Sequence, residues 1–315
     1  MFDLLIDVRP RTDESLLGYL HRLADANGLE GRVLQKEAKS ATCAQYLAMV
    51  HGNGAHPSWL PVHKELAGRP LQTTRLWNLR LPRYCPACLA ESLHWRARWD
   101  ISLMTACGRH KLRLLDCCQN CGKHLSWDRH NASYCLSCAH PLTIRAGIEK
   151  HVAYEELWFV RELEQRLMRQ SRMLDLPLKH IDLDRFHEIA FRLGAGVMRQ
   201  LGRMPRKVRL ARSMDVAQPI ALSAGRIFSR WPKGLFDVLE KIRGCSAEMA
   251  TGGPTAIFGI LHQEFSSLYK DDVLFIREVF DSYLKGRWPH CARRLTCSAE
   301  VLSASDLYIS AQLTP

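Results

Sequence analysis

Apolar residues recur at helical spacing through most of the chain, and the recurrence stops over one central stretch. Residues 12–28 read TDESLLGYLHRLADANG: a Thr/Asp start, then Leu16, Leu17, Leu20, Leu23 and Ala24 at helical spacing, then an Asn27-Gly28 stop. That pattern predicts a short amphipathic helix. Further short helices are predicted around 30–39, 42–50 and 58–67, separated by Gly, Asn and Pro. Such a cluster fits a helix-turn-helix unit, although ordinary packing of short helices produces the same pattern. Beyond the central stretch, Leu157, Val160, Leu163 and Leu167 mark one helix, and Phe186, Ile189, Ala190, Leu193, Val197 and Leu201 another. Later helices are expected at 223–230, 233–243, 255–268 and 271–285, and the tail after Trp288 has no assignment.

From Leu79 to Thr143 helical periodicity gives way to paired cysteines. CPAC is followed after eighteen residues by CGRH, and CQNC after thirteen residues by CLSC. Two residues between ligands let both side chains of a tight turn reach one tetrahedral ion at about 2.3 Å, and a second such turn supplies the other pair. The spacing therefore predicts two structural zinc ions per chain. One is held by Cys85, Cys88, Cys107 and His110, the other by Cys118, Cys121, Cys135 and Cys138. Cys117 competes with Cys118, but the spacing to Cys121 favours Cys118. His124, His130 and His140 lie nearby and are expected at the surface or behind the ligands. Four protein ligands leave no open position for water, so neither site is expected to do hydrolytic chemistry. The Glu that a deaminating zinc needs in an HxE context is also missing.

The 315-residue length accommodates two or three domains. The texture divides them as an N-terminal helical, helix-turn-helix-like domain at 1–78, a tandem zinc-finger module at 79–145 and a C-terminal helical domain at 146–315. The expected fold class is mainly α with small zinc-ribbon elements. No signal-peptide layout and no apolar run of membrane-spanning length is found, so a cytoplasmic protein is expected. Its twelve cysteines then read as metal ligands and reduced thiols. The formal charge is +12, or about +9 once seven thiolates and two zinc ions are counted, which favours an acidic partner with nucleic acid first.

Catalytic motifs are lacking. There is no phosphate-binding GxxxxGK[ST] loop, and no GxGxxG follows a predicted strand. Asp182 with Asp184, and Asp271 with Asp272, could form a two-metal centre, but Asp184 and Asp271 precede helical patterns, where Asp serves as a cap. Between Ile189 and Met214 there is no acid, while cations accumulate. Within that stretch Arg203, Arg206, Lys207 and Arg209 are the expected contacts to nucleic acid or an acidic partner, with a solvated basic surface as the alternative. Pro205 should break the helix ending near Gly202 and hold this cluster in a loop.

The central segment RYCPACLAESLHWRARWDISLMTACGRHKLRLLDCCQNCGKHL resembles the TniQ family, which includes the TnsD-type target selectors of bacterial transposons. RPRTDESLLGYLHRLADANG is similar to the family's opening, and RIFSRWPKGLFDVL to its Trp-Pro segment. The resemblance is dense over 9–28 and 79–143. It implies a non-enzymatic protein that recognises or docks on a target and recruits an AAA+ ATPase regulator and, through it, the transposase. The target would be a DNA site or a CRISPR RNA-guided effector complex, and homodimers occur among members that dock on such complexes. The same eight zinc ligands carry over from the family. The chain ends sooner than the long TnsD-type members, so an extended sequence-reading surface is not expected. No membrane role is implied, and association with the nucleoid would follow from target binding. The competing readings are a zinc-containing helix-turn-helix transcriptional regulator and a nuclease or transposase in its own right.

Overall fold

The computed structural model describes residues 5–39, 45, 56–66, 75–128, 132–143, 152–168, 178–205, 208–245, 253–268 and 273–287. These residues are mainly helical, and the only β pairing among them is a set of isolated bridges. The chain divides into two compact units, residues 1–238 and 239–315.

In the first unit, α1 (Leu16–Ala26) begins at Ser15, whose Oγ accepts the Gly18 N–H at 2.9 Å. It stops at Asn27, with Gly28 at φ +68°, a conformation that costs glycine no Cβ clash. The expected Thr/Asp start therefore lies one turn too early: Asp13 and Glu14 remain outside the helix and bond elsewhere. Leu16, Leu17, Tyr19, Leu20, Leu23 and Ala24 are buried, each large side chain contributing about 1.5–3 kcal/mol. Helices α2 (Gly31–Glu37) and α3 (Trp59–Leu66) pack beside α1. Of the helix expected at 42–50 only residue 45 is among the described residues, and the tail after Trp288 lies outside them.

The cysteine segment opens with α4 (Pro86–Glu91) and otherwise consists of turns joined by single bridges. After it come α5 (Tyr154–Leu167), α6 (Leu183–Gln200) and α7 (Met214–Phe228), which pack on one another through small residues. A Cβ at Gly194 would press on the Ile220 carbonyl of α7, and one at Gly225 would run into the Glu155 carbonyl of α5. Asp182, not Asp184, caps α6, its carboxylate accepting the Arg185 N–H at 2.8 Å. Helix α6 ends at Gln200 with Gly202 at φ +66°, before Pro205 can act. Helix α7 starts well before the expected residue 223, because Pro219 sits inside it instead of ending it.

Helix α8 (Lys233–Cys245) runs through the division between the units. In the second unit, α9 (Gly253–Ser266), interrupted at Gly259, packs on α10 (Leu274–Arg287) through Phe265 and Phe280, stacked at 4.2 Å. Glu240 accepts from Arg243, Tyr283 and Arg287 there. No helix among the described residues is long and apolar enough to cross a membrane.

Candidate metal centres

The structure gathers Cys85, Cys88, Cys107 and His110 into one cluster, and Cys118, Cys121, Cys135 and Cys138 into another. Within each cluster all ligand atoms lie within 4.8 Å of one another. An ideal zinc tetrahedron has S···S edges of about 3.8 Å and S···N edges of about 3.6 Å. In the first cluster Cys88 and Cys107 sulfurs are 3.6 Å apart, and His110 Nδ1 stands 3.5, 3.2 and 3.5 Å from Cys85, Cys88 and Cys107. In the second, the Cys118–Cys138 and Cys121–Cys135 separations are both 3.7 Å. Both donor sets can hold a metal ion, and their size and sulfur-rich chemistry are compatible with zinc.

Three of the four ligand turns are built to one pattern. Cys107, Cys118 and Cys135 each donate their N–H to the carbonyl five residues on (Leu112, Lys123, His140) and accept from the N–H four residues on. The fourth residue is left-handed in every case: Lys111 at φ +54°, Gly122 at +71°, Ala139 at +53°. A bridge then closes each loop, as Ala106–Arg113, Cys117–His124 and Tyr134–Pro141. Seven residues after the first cysteine a buried leucine anchors the turn: Leu114, Leu125 and Leu142. The sequence carries this repeat as CGRHKLRL, CQNCGKHL and CLSCAHPL, beyond the ligand pairs themselves. The remaining turn differs because Cys85 stands just before α4, with Pro86 in its first turn, and Cys88 lies inside that helix.

Donated hydrogen bonds prepare the thiols. The thiols of Cys85 and Cys88, and then the backbone N–H groups of His110 and Arg109, hold Cys107 well below its ordinary value. The His140 N–H and the Asn120 amide bring Cys138 down to about 6. Burial first of all pushes Cys118 up to about 12, and hydrogen bonding to Cys107 raises Cys85 further still. Thiols this close cannot all ionise on their own, and a dication removes that conflict. His110 presents Nδ1 to the cluster and donates Nε2–H to Glu91 at 2.9 Å, which sets its tautomer and ring orientation. His124 and His140 belong to neither cluster, and His130 lies outside the described residues. Cys118, not Cys117, joins the second cluster; the Cys117 carbonyl accepts from the Tyr84 hydroxyl.

The first cluster is tied into the core from two sides. Toward α1, each residue of Asp13-Glu14-Ser15 has a task. Asp13 accepts from His94 at 2.7 Å and Arg96 at 2.5 Å; its burial opposes ionisation, but these two donors hold the carboxyl below the usual carboxylate range. Glu14 receives a bidentate pair from Arg22, at 2.7 and 2.6 Å. Ser15 N–H donates to the Trp95 carbonyl at 2.7 Å, and Gly18 leaves room for Trp95 itself, which touches Tyr84, Trp99 and Trp127. Toward the later helices, Thr105 donates to Glu156 at 2.7 Å, Ser102 meets His187 at 2.8 Å, and Arg98 pairs with Glu164 at 3.3 Å. Glu164 also accepts from the Gly108 backbone, inside the His110 turn. None of these partnerships was legible from ligand spacing.

The cations of this segment are largely spent on such ties. Arg96, Arg98, Arg109 and Arg113 pair with Asp13, Glu164, Glu91 and Glu156. Of the basic residues expected to meet a partner, Arg203 and Arg209 are exposed, while Arg206 and Lys207 lie outside the described residues.

Among known proteins, the TniQ family model matches residues 5–114, from the segment ahead of α1 to the buried leucine that closes the His110 turn. No curated protein matches the chain. The matched residues are those that the Asp13, Glu14 and Ser15 contacts join to the first metal cluster, and over this part the chain is similar to the TniQ family.

Proposed function

We propose that the chain is a non-enzymatic transposition protein that recognises or docks on the target and recruits an AAA+ ATPase regulator and, through it, the transposase. The observation that carries this reading is the TniQ match over residues 5–114, a segment whose helices and first metal cluster share one core. The target is a DNA site or a CRISPR RNA-guided complex, and the chain acts in the cytoplasm, at the nucleoid when bound. Zinc fills both clusters as a structural ion, since four protein ligands in each leave no position for a reacting water. The Asp182 carboxylate, considered above as one half of a metal centre, is used as a helix cap, which favours a binding role over a nuclease. On this reading the three stretches 1–78, 79–145 and 146–315 are the N-terminal helical, tandem zinc and C-terminal helical parts of one adaptor.

The test is a reconstituted transposition assay with target, ATPase and transposase, with and without this chain. Integration at the target should depend on the chain, and the purified chain alone should neither hydrolyse ATP nor cut supercoiled DNA. Full integration without it, or metal-dependent cleavage by it, would sink the proposal.

A further inference from the structure

We infer that the non-helical segment 208–213, together with Arg80 from the neighbouring turn, forms a preorganised track for the phosphate backbone of duplex DNA. This inference rests on the target-selection reading given above and names the surface through which the chain would hold DNA.

The segment is not helical, yet side chains from several elements grip its backbone. Arg199 of α6 donates to the Val208 carbonyl at 2.8 Å. Arg83 donates to the Ala211 and Arg212 carbonyls at 2.7 and 3.0 Å, and Asn78 to the Arg212 carbonyl at 2.9 Å. Asp116 then accepts the Met214 N–H at 2.7 Å. Arg83 is fully buried, with Ser102 and Met104 carbonyls as its other acceptors, and burial pulls its guanidinium down to about 10. A buried cation spent on backbone carbonyls is an expensive way to fix a loop, and here it fixes the segment carrying Arg209 and Arg212.

Ala211 faces inward and is buried, whereas Arg209 and Arg212 are exposed. Arg80 is also exposed, in the turn that Asn78 closes by donating to Leu81 at 2.9 Å with the same amide that holds Arg212. Among the described residues no acid pairs with Arg80, Arg209 or Arg212, in contrast to Arg96, Arg98, Arg109 and Arg113, each of which meets a carboxylate. Arg209 and Arg212 stand three residues apart, within about 10 Å of chain reach, so both side chains can meet phosphates of one duplex. With no base-reading geometry required, the expected binding is sequence-independent and salt-sensitive.

The experiment measures binding of the full-length, metal-loaded chain to a random-sequence 30-base-pair duplex by fluorescence anisotropy over a salt series. The variant R80A/R209A/R212A should lower the slope of log affinity against log salt by about 0.9 for each phosphate no longer neutralised, and should weaken binding about eightfold per phosphate at 0.1 M salt. The variant R80K/R209K/R212K should keep the slope, because lysine still meets a phosphate as a point charge. A charge-matched control, R226A/K233A/K241A, removes three exposed cations elsewhere and should leave the affinity within about twofold. Wild-type affinity and slope in the alanine variant, an equal loss in the control, no duplex binding by the unmodified chain, or preferential competition by polyglutamate would each overturn the inference. Transposition separates the two claims. If integration needs the chain while its arginines leave DNA binding unmoved, the track falls and the adaptor reading stands. If the arginines carry DNA binding while integration ignores the chain, the reading falls and the track stands.

Discussion

The three-fold ligand turn makes a quantitative prediction at its left-handed position. Lys111, Gly122 and Ala139 occupy equivalent places with nearly the same φ, yet only one is glycine. A non-glycine residue there carries about 1–2 kcal/mol of steric strain. Glycine avoids the strain but gives up about 0.5–1 kcal/mol of conformational entropy on folding. The difference leaves about 0.5–1 kcal/mol in favour of glycine. Lys111 and Ala139 are exposed, so replacing them removes little packing, and a Cβ at Gly122 would meet nothing within 4 Å, so only conformation is at stake. Because metal binding and folding of such turns are coupled, K111G should tighten metal at the first cluster about two- to fivefold, A139G should do the same at the second, and G122A should loosen the second by a similar factor. The double variant G122A/A139G should return close to the unmodified value. Competition against a chromogenic zinc chelator, with thermal unfolding alongside, measures all four. A silent G122A, or a K111G that binds metal more weakly, would refute the idea that these turns are strained copies of one motif.

Metal analysis of the chain purified without added zinc should find two ions, and C88S or C121S should each lose one with unfolding of the turns it served; one ion or none in the unmodified chain would count against the paired clusters. The Glu91 contact predicts that E91A weakens metal at the first cluster by about 10–100-fold while sparing the second, whereas a purely surface role would leave both unchanged. His187 is fully buried beside Ser102, and burial, reinforced by Arg75 and Arg83, pulls its pKa down to about 3. The unfolded imidazole takes up a proton below about 6.5 while the folded one does not, so its contribution is complete above that pH and is lost as pH falls toward 3, at about 1.4 kcal/mol per pH unit. Chemical denaturation from pH 7 to pH 5 should therefore be flatter for H187Q than for the unmodified chain, and parallel curves would show that His187 is protonated without cost.

How much could be read before the fold was known follows from how local each feature is. The eight clustered residues fall in pairs three residues apart, and the reach of two side chains across one tight turn is a matter of local geometry, so spacing alone grouped the residues that the fold brings together. Amphipathic helices such as α1 and α6 were legible for the same reason, because their apolar stripes repeat within each element. Their ends were less so. Both Ser15 and Asp182 stand beside other residues able to cap, and only the backbone path decides which carboxylate or hydroxyl meets a helix N–H. Lys111 and Ala139 gave no sign of a left-handed backbone, since only glycine advertises that conformation.

What the tertiary structure decided was the use of the charged residues. In the sequence Asp13 marked only a helix start, and Glu14, Arg96 and Arg98 carried no assignment, but the fold spends them on ties among α1, the cysteine turns and α5, across separations that no periodicity encodes. The basic balance likewise pointed to an acidic partner without locating it. Folding neutralised most arginines of the cysteine segment and set Arg83 inside the core to hold the chain that carries Arg209 and Arg212. A charge is visible in a sequence as soon as it is written. Whether it is paired depends on which distant residue the packed core brings within reach, and that is decided only when the chain has folded.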